Sequence, residues 1–373
     1  MLLISLMVMS MSSQLTAELP ARVREAPAYH YIMFDLDSTL AELYSGFQNI
    51  EENLPSTQQT SFRAFSITKT FTSVAIMQLV EKGALRLDDP VDKYLPDYRF
   101  SEAVSIQQLL SHQSGLANPI PLKWTHLRED HANHNFKGFA DSVIMSNLKL
   151  KRPPGSKFSY SNLNYLILGR LIEEISGLSY ENYVSKHILL PLKIEDQTGF
   201  KHPDTNQARG YNKNNLFQRL LLGALLDKKK VTYPANKDWI GFHPFYLNGS
   251  SYGGLFTTAE GLMNFGRSLL SDKRMILESG SISEMFSDQV TNTGNSTGMG
   301  LGWFNGKLHD MNYFCHAGGG GGYYAELRLY PGLGVGSIVM LNSSGMKDYR
   351  LLDKLDAPYI KRMKNDPQVE SNI

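Results

Sequence analysis

Apolar residues change their spacing along this chain, and the changes mark its elements. Residues 29–34 are a short apolar and aromatic run that reads as a strand. Residues 40–47 read as its hairpin partner, with Asp37-Ser38 near the turn. From Phe71 the spacing turns helical: Phe71, Val74, Ala75, Met77, Gln78 and Val80 continue a helix that Gly83 is placed to end. Residues 85–95 read as a loop, and 105–115 as a short capped helix ending at Gly115. Residues 117–150 are polar and irregular and read as a solvated loop. Pro153-Pro154-Gly155 marks a turn. Ser161 or Asn162 can then cap a helix over 163–176, which Gly177 ends. A helix and a turn follow over 180–200. Leu216, Leu220, Leu221, Ala224 and Leu225 share one face of an expected amphipathic helix, followed by Lys228-Lys229-Lys230. Gly253-Gly254 turns into a helix reaching about residue 270. After Gly300-Leu301-Gly302-Trp303 the chain is strand-rich: 323–330 and 335–342 alternate and read as antiparallel strands joined at Pro331-Gly332. Residues 347–363 read as a terminal helix.

Strands therefore fall at the two ends and helices in the middle. That order predicts an α+β fold: one antiparallel sheet from both chain ends (about 26–65 and 298–345), flanked by helices, with a mainly helical region (about 66–297) inserted and a helix and tail over 346–373. The cleft between the two parts is the natural site.

Composition narrows the function. At 373 residues the chain exceeds what one core usually supports, so two lobes are expected. A net charge of +1 argues against a nucleic-acid partner and offers no attraction to acidic lipid. Contact with a membrane surface would have to come from the leucine face over 216–226. The single cysteine, Cys315, excludes an intrachain disulfide and a cysteine-built zinc site, and reads as a packed strand residue. Residues 1–17 resemble a signal peptide, with an apolar core, no basic start and a small residue near Thr16-Ala17. The expected location is periplasmic or secreted, with cytoplasmic the alternative. Oligomeric state is left open.

Chemistry concentrates at Phe65-Ser66-Ile67-Thr68-Lys69. Residues at i and i+3 share a helical face, so the Ser66 hydroxyl and Lys69 amine can meet. Serine needs a neighbouring base, and lysine is one only when its environment keeps part of it neutral. Tyr160 sits just before a helix start, where its hydroxyl can face a cleft. His112 reads as a structural residue closing a turn. His126, His131 and His134 lie near Glu129 and Asp130 but match no zinc spacing. Phe34-Asp35-Leu36-Asp37-Ser38-Thr39-Leu40 imitates the nucleophile loop of haloacid-dehalogenase-type phosphatases; no later acidic cluster supports it, and the hairpin is the preferred reading.

Taken together, these segments resemble the serine beta-lactamase-like superfamily, in its class C, family VIII-type esterase and D-aminopeptidase (peptidase S12-like) branch. Ser66-Ile67-Thr68-Lys69 resembles the nucleophile motif, Tyr160-Ser161-Asn162 the Y-x-N motif, and His316-Ala317-Gly318 the H-x-G variant of K-T-G. The resemblance spans about 29–342. It implies catalysis by Ser66, Lys69 and Tyr160. It implies substrate binding by Asn162, His316 and Gly318, and an oxyanion site at the Ser66 and Gly319 N–H groups. It implies no metal and no cofactor. A positive Lys69 would favour a Tyr160 phenolate, and a partly charged His316 would be a weak carboxylate anchor. The implied activity is serine hydrolysis of a small ester or amide through an acyl-enzyme. An esterase or D-amino-acid peptidase is expected ahead of a beta-lactamase or D-Ala-D-Ala carboxypeptidase, with a non-catalytic binding protein the alternative of another class.

Overall fold

The computed structural model describes residues 21–119, 124–216, 218, 231–344 and 350–364. Seven antiparallel strands form its main sheet: β1 (Ala28–Asp35), β2 (Thr39–Asn49), β3 (Leu54–Pro55), β4 (Phe304–Leu308), β5 (Met311–Gly320), β6 (Tyr323–Tyr330) and β7 (Val335–Leu341). Their order is β4-β5-β6-β7-β1-β2-β3. The two ends of the chain meet where β1 pairs with β7, Tyr31 opposite Val339 and Ile32 opposite Ile338. This is the expected α+β arrangement.

Five longer helices surround the sheet: α1 (Thr68–Glu81), α2 (Phe136–Met145), α3 (Asn162–Ser176), α4 (Ala259–Leu270) and α5 (Leu351–Lys364). Successive strand residues point to opposite faces. Ile32 and Phe34 join the main core with α1, α3 and α4, whereas Tyr31 and Met33 pack with Leu352, Leu355 and Ile360 of α5. A strand covered on both faces needs apolar residues at every position, which is why 29–34 reads as a continuous run.

Helix α1 lies at the centre. The spacing of its apolar residues predicts one buried stripe, yet every residue from Thr68 to Leu79 is buried. A helix enclosed all round must satisfy its polar side chains internally. Thr72 Oγ1 accordingly donates to the Ser251 carbonyl at 2.7 Å, and Lys69 is enclosed with the rest.

The structure corrects three expectations. Region 117–150 is not wholly a loop: it holds a short strand (Thr125–Leu127) and α2, which Asn135 caps through the Gly138 N–H at 2.9 Å and which buries Ala140 and Ile144. The helix expected to reach Gly115 covers only Ile106–Leu110, because His112 (φ 56°) and Gly115 (φ 77°) take left-handed backbone. The inserted region also contributes strands to small sheets, some of them shared with the end segments. Phe62–Arg63, Phe256–Thr257 and Thr198–Gly199 form one. Thr125–Leu127 pairs with Phe245–Leu247 in another, and four strands including Tyr211–Lys213 and Trp239–Phe242 make a third. Strands of two to four residues are too short to show alternation. Residues 1–17, and all of 216–226 except Leu216 and Gln218, lie outside the described residues. Among the described residues no helix is long and apolar enough to cross a membrane.

Candidate active site

The strand Phe62–Arg63 leads through Phe65, at φ 44°, into a turn of 3-10 helix (Phe65–Ile67) and then α1. Positive φ is strained for an aromatic residue. Here it presents Ser66 at the helix start, with the Phe65 ring in the wall of a cavity of about 140 Å³.

One turn on, Lys69 is fully buried. Its Nζ lies 3.0 Å from Ser66 Oγ, 2.9 Å from Asn162 Oδ1 and 2.7 Å from the Tyr252 carbonyl oxygen. Burial pushes the amine well below its ordinary pKa. A neutral amine donates two hydrogens, here to two oxygens that can only accept, and keeps its lone pair for the Ser66 hydroxyl proton. Tyr160 OH lies 2.9 Å from Ser66 Oγ on another side. Burial drives the phenol above its ordinary pKa, partly offset by the Ser66 hydrogen bond. The phenolate that a positive Lys69 would favour is therefore disfavoured, since desolvation opposes charge on both partners. Tyr160 is a phenol that donates to Oγ, and Lys69 Nζ lies within hydrogen-bond distance of the same oxygen.

Tyr160 and Asn162 are held by residues distant in sequence. The Ser161 side chain does not cap α3; it donates to the Ala117 carbonyl instead, and Asn118 Oδ1 accepts from the Asn162 N–H at 2.9 Å. His112 Nδ1 accepts from the Ser161 N–H at 3.2 Å, and its ring lies 4.3 Å from the Tyr160 ring. Burial keeps His112 neutral.

Strand β5 closes the site. Its partner β4 pairs only as far as Cys315, which leaves the glycine stretch free to approach the nucleophile. A Cβ on Gly318 would stand 2.1 Å from the Ala64 carbonyl oxygen and 2.7 Å from the Ser66 nitrogen, so no side chain fits. Gly319 and Ser66 both line the cavity. Gly320 (φ 151°), Gly321 (φ 46°) and Gly322 (φ 87°) then form the turn into β6.

His316 departs from expectation. It is 1% exposed and is not among the residues lining the cavity. Burial depresses its pKa to about 3, while a 2.8 Å contact from Nδ1 to the Ala317 carbonyl works the other way. It is neutral and no electrostatic anchor. Gly318 likewise touches backbone rather than the cavity. Asn162 lines the cavity, but its side-chain oxygen is committed to Lys69.

The remaining cavity walls come from the glycines and from Thr125, Val231, Phe242, Phe245, Leu247 and Tyr252, and none of these six was singled out by the sequence pattern. Only Gly253-Gly254 signalled that region. Asp35 Oδ1 accepts from the Asp37 and Ser38 N–H groups at 2.9 and 2.6 Å and so closes the β1–β2 turn. His126, His131 and His134 do come together, but as stacked rings with Tyr246, and no group of side chains able to hold a metal occurs among the described residues. Cys315 lies in β5, where burial, then Glu326, pushes its thiol up to about 12.

A serine flanked by a buried lysine and a tyrosine, under a glycine strand edge, is an arrangement suited to nucleophilic attack on a carbonyl. The profile of the Beta-lactamase family matches residues 27–359, and the chain belongs to that family of serine hydrolases. Penicillin-binding protein 4* of Bacillus subtilis is 28% identical over 293 residues, 76% of this chain and 61% of that protein. Protein flp of Staphylococcus aureus is 32% identical over 177 residues, 44% of this chain and 34% of that protein. The chain thus spans less than two thirds of either curated relative. Among solved structures, the octameric penicillin-binding protein homologue from Pyrococcus abyssi superposes with a TM-score of 0.72 at 25% identity, over 95% of this chain and 76% of that one. The D-amino acid amidase from Ochrobactrum anthropi has a TM-score of 0.75 at 20% identity, over 93% and 98%, a likeness of fold alone.

Proposed function

We propose that this protein hydrolyses uncharged esters with an apolar or aromatic acyl group, through an acyl-enzyme on Ser66. The observation that carries this is Ser66 Oγ held between Lys69 Nζ at 3.0 Å and Tyr160 OH at 2.9 Å, at the edge of an apolar cavity. Ser66 Oγ attacks the carbonyl carbon as its proton passes to the neutral Lys69 amine. The oxyanion takes hydrogen bonds from the Ser66 and Gly319 N–H groups. The proton returns to the departing alkoxide through the Tyr160 hydroxyl, and water reverses the sequence to release the acid.

The choice of ester rests on the walls. Among the described residues, no carboxylate lines the cavity to pair with an α-amino group, and no lysine or arginine lines it to pair with a carboxylate. Both D-aminopeptidase and carboxypeptidase substrates would bring a charge there without a partner. A panel of p-nitrophenyl esters, nitrocefin and D-Ala peptides, with intact-protein mass spectrometry, tests this. The expected result is preferential turnover of the esters and acyl mass on Ser66. Full ester turnover by Ser66→Ala removes the nucleophile assignment, and faster turnover of nitrocefin or D-Ala peptides replaces the ester reading.

A further inference from the structure

Three residues before the nucleophile, Arg63 is 1% exposed, and among the described residues no carboxylate forms an ion pair with it. Its guanidinium is sandwiched between the rings of Phe245 and Phe256, at 4.2 and 4.3 Å. Its Nη1 is buried with no hydrogen-bond partner among the described residues. Its Nη2 lies 3.4 Å from His202 Nε2. That nitrogen is also 2.8 Å from the Phe245 carbonyl oxygen, and Nδ1 of the same ring is 2.8 Å from Gln207 Oε1, so the long 3.4 Å contact is all that His202 offers the guanidinium. Two aromatic faces offset part of the cost of burying a guanidinium but supply no acceptor for its N–H groups.

Arg63 lines a second cavity, of about 440 Å³, which shares Phe242 and Phe245 with the active-site cavity. Two further arginines line it. Arg128 and Arg209 reach Asp204 and Glu52 only at 3.5 Å, and those carboxylates are 96% and 58% exposed. Such loose, solvated pairs contribute little and are readily exchanged. The cavity therefore combines a buried cation whose Nη1 lacks an acceptor with two cations whose partners are weakly held.

We propose that this second cavity is an anion-binding site, separate from the hydrolytic one, that takes a small oxyanion on Arg63, Arg128 and Arg209. The shared chemistry is a planar or tetrahedral group of oxygens meeting the guanidinium fork, a carboxylate or a phosphate. Because Phe242 and Phe245 wall both cavities, an occupant also braces one side of the ester cavity.

Thermal unfolding of the intact chain in succinate and, separately, in inorganic phosphate tests this, against sodium chloride of matched ionic strength. A saturable rise in Tm with one anion beyond the chloride control is expected, since a ligand bound only by the folded state stabilises by mass action. The stronger of the two arms identifies carboxylate or phosphate as the preferred group. Arg63→Met should weaken that anion by about tenfold or more. Arg128→Ala and Arg209→Ala, at the solvated rim, should fold normally and each weaken it by a smaller factor. If Arg63→Met does not fold, the two rim variants decide. Equal response to all three salts, or an anion effect unchanged in every variant, overturns the proposal. The measurement needs no turnover and is repeated on Ser66→Ala, so failure of the ester reading leaves it intact.

Discussion

Asn162 Oδ1 stands 2.9 Å from Lys69 Nζ, a neutral oxygen where a carboxylate would bind an ammonium group more tightly. That neutrality lets burial depress the lysine. An aspartate in its place puts a negative charge against the amine and raises its pKa. Activity requires the neutral amine, so it rises with pH through the lysine's pKa. Asn162→Asp should move the acid limb of the kcat/KM profile upward by about one unit or more and cut turnover near neutrality by about tenfold. An unmoved limb would mean that Lys69 is not the base.

Gly318 touches the backbone beneath the nucleophile, and a methyl group there would lie 2.7 Å from Ser66 N. Gly318→Ala should slow fluorophosphonate labelling of Ser66 by about a hundredfold, as expected when reacting groups are misplaced by an ångström. Gly319→Ala should fold with little loss, because a Cβ there meets nothing closer than 3.6 Å. Equal stability and labelling in the two variants would contradict this packing.

His112 acts on Tyr160 through the Ser161 N–H and the tilted ring contact. His112→Phe keeps the ring and removes the acceptor, leaving a buried N–H unpaired at a cost of about 1–3 kcal/mol. We expect kcat to fall by about tenfold with KM little changed. The pH profile should keep its position, because His112 is neutral throughout. A shifted profile would show that His112 itself titrates in catalysis.

Beneath α5, Asp356 accepts from Tyr31 at 3.1 Å, Tyr330 at 2.9 Å and Ser337 at 2.6 Å, yet burial raises its pKa to about 6. Its folded pKa exceeds its unfolded one. The stability it contributes is therefore fully present below the unfolded pKa and lost as pH rises through about 6. The stability advantage of the native chain over Asp356→Asn, followed by thermal unfolding, should shrink between pH 4 and pH 7 by on the order of 2 kcal/mol. An advantage that grows over that range would reverse the assignment.

Much of this site is legible in the chain. Ser66 and Lys69 are one helical turn apart, and a local spacing survives any tertiary arrangement. Gly83 and Gly177 end helices by the backbone freedom that the sequence announces, both with positive φ. The run at 29–34 and the alternation at 323–341 specify strands at the two ends, and their shared sheet follows from having nowhere else to pair. What stays hidden is α2, a short apolar segment (Phe139, Ala140, Val143, Ile144) set in a long polar stretch, and the strands of two to four residues that build the cavity wall.

By itself, the sequence determined which groups are available: a serine and lysine in register, a tyrosine ahead of a helix, and glycines where a strand must approach closely. Tertiary structure decided their state. Charge on Lys69, Tyr160 and His316 depends on desolvation by segments far away in sequence, including Tyr252, whose carbonyl meets Lys69 across 183 positions. A one-dimensional pattern records which residues are ionisable, but the work of ionising them is set by what surrounds them in space. For that reason the motif pointed to the nucleophile, while only the folded chain shows a desolvated amine, an un-ionised phenol and a buried histidine around it.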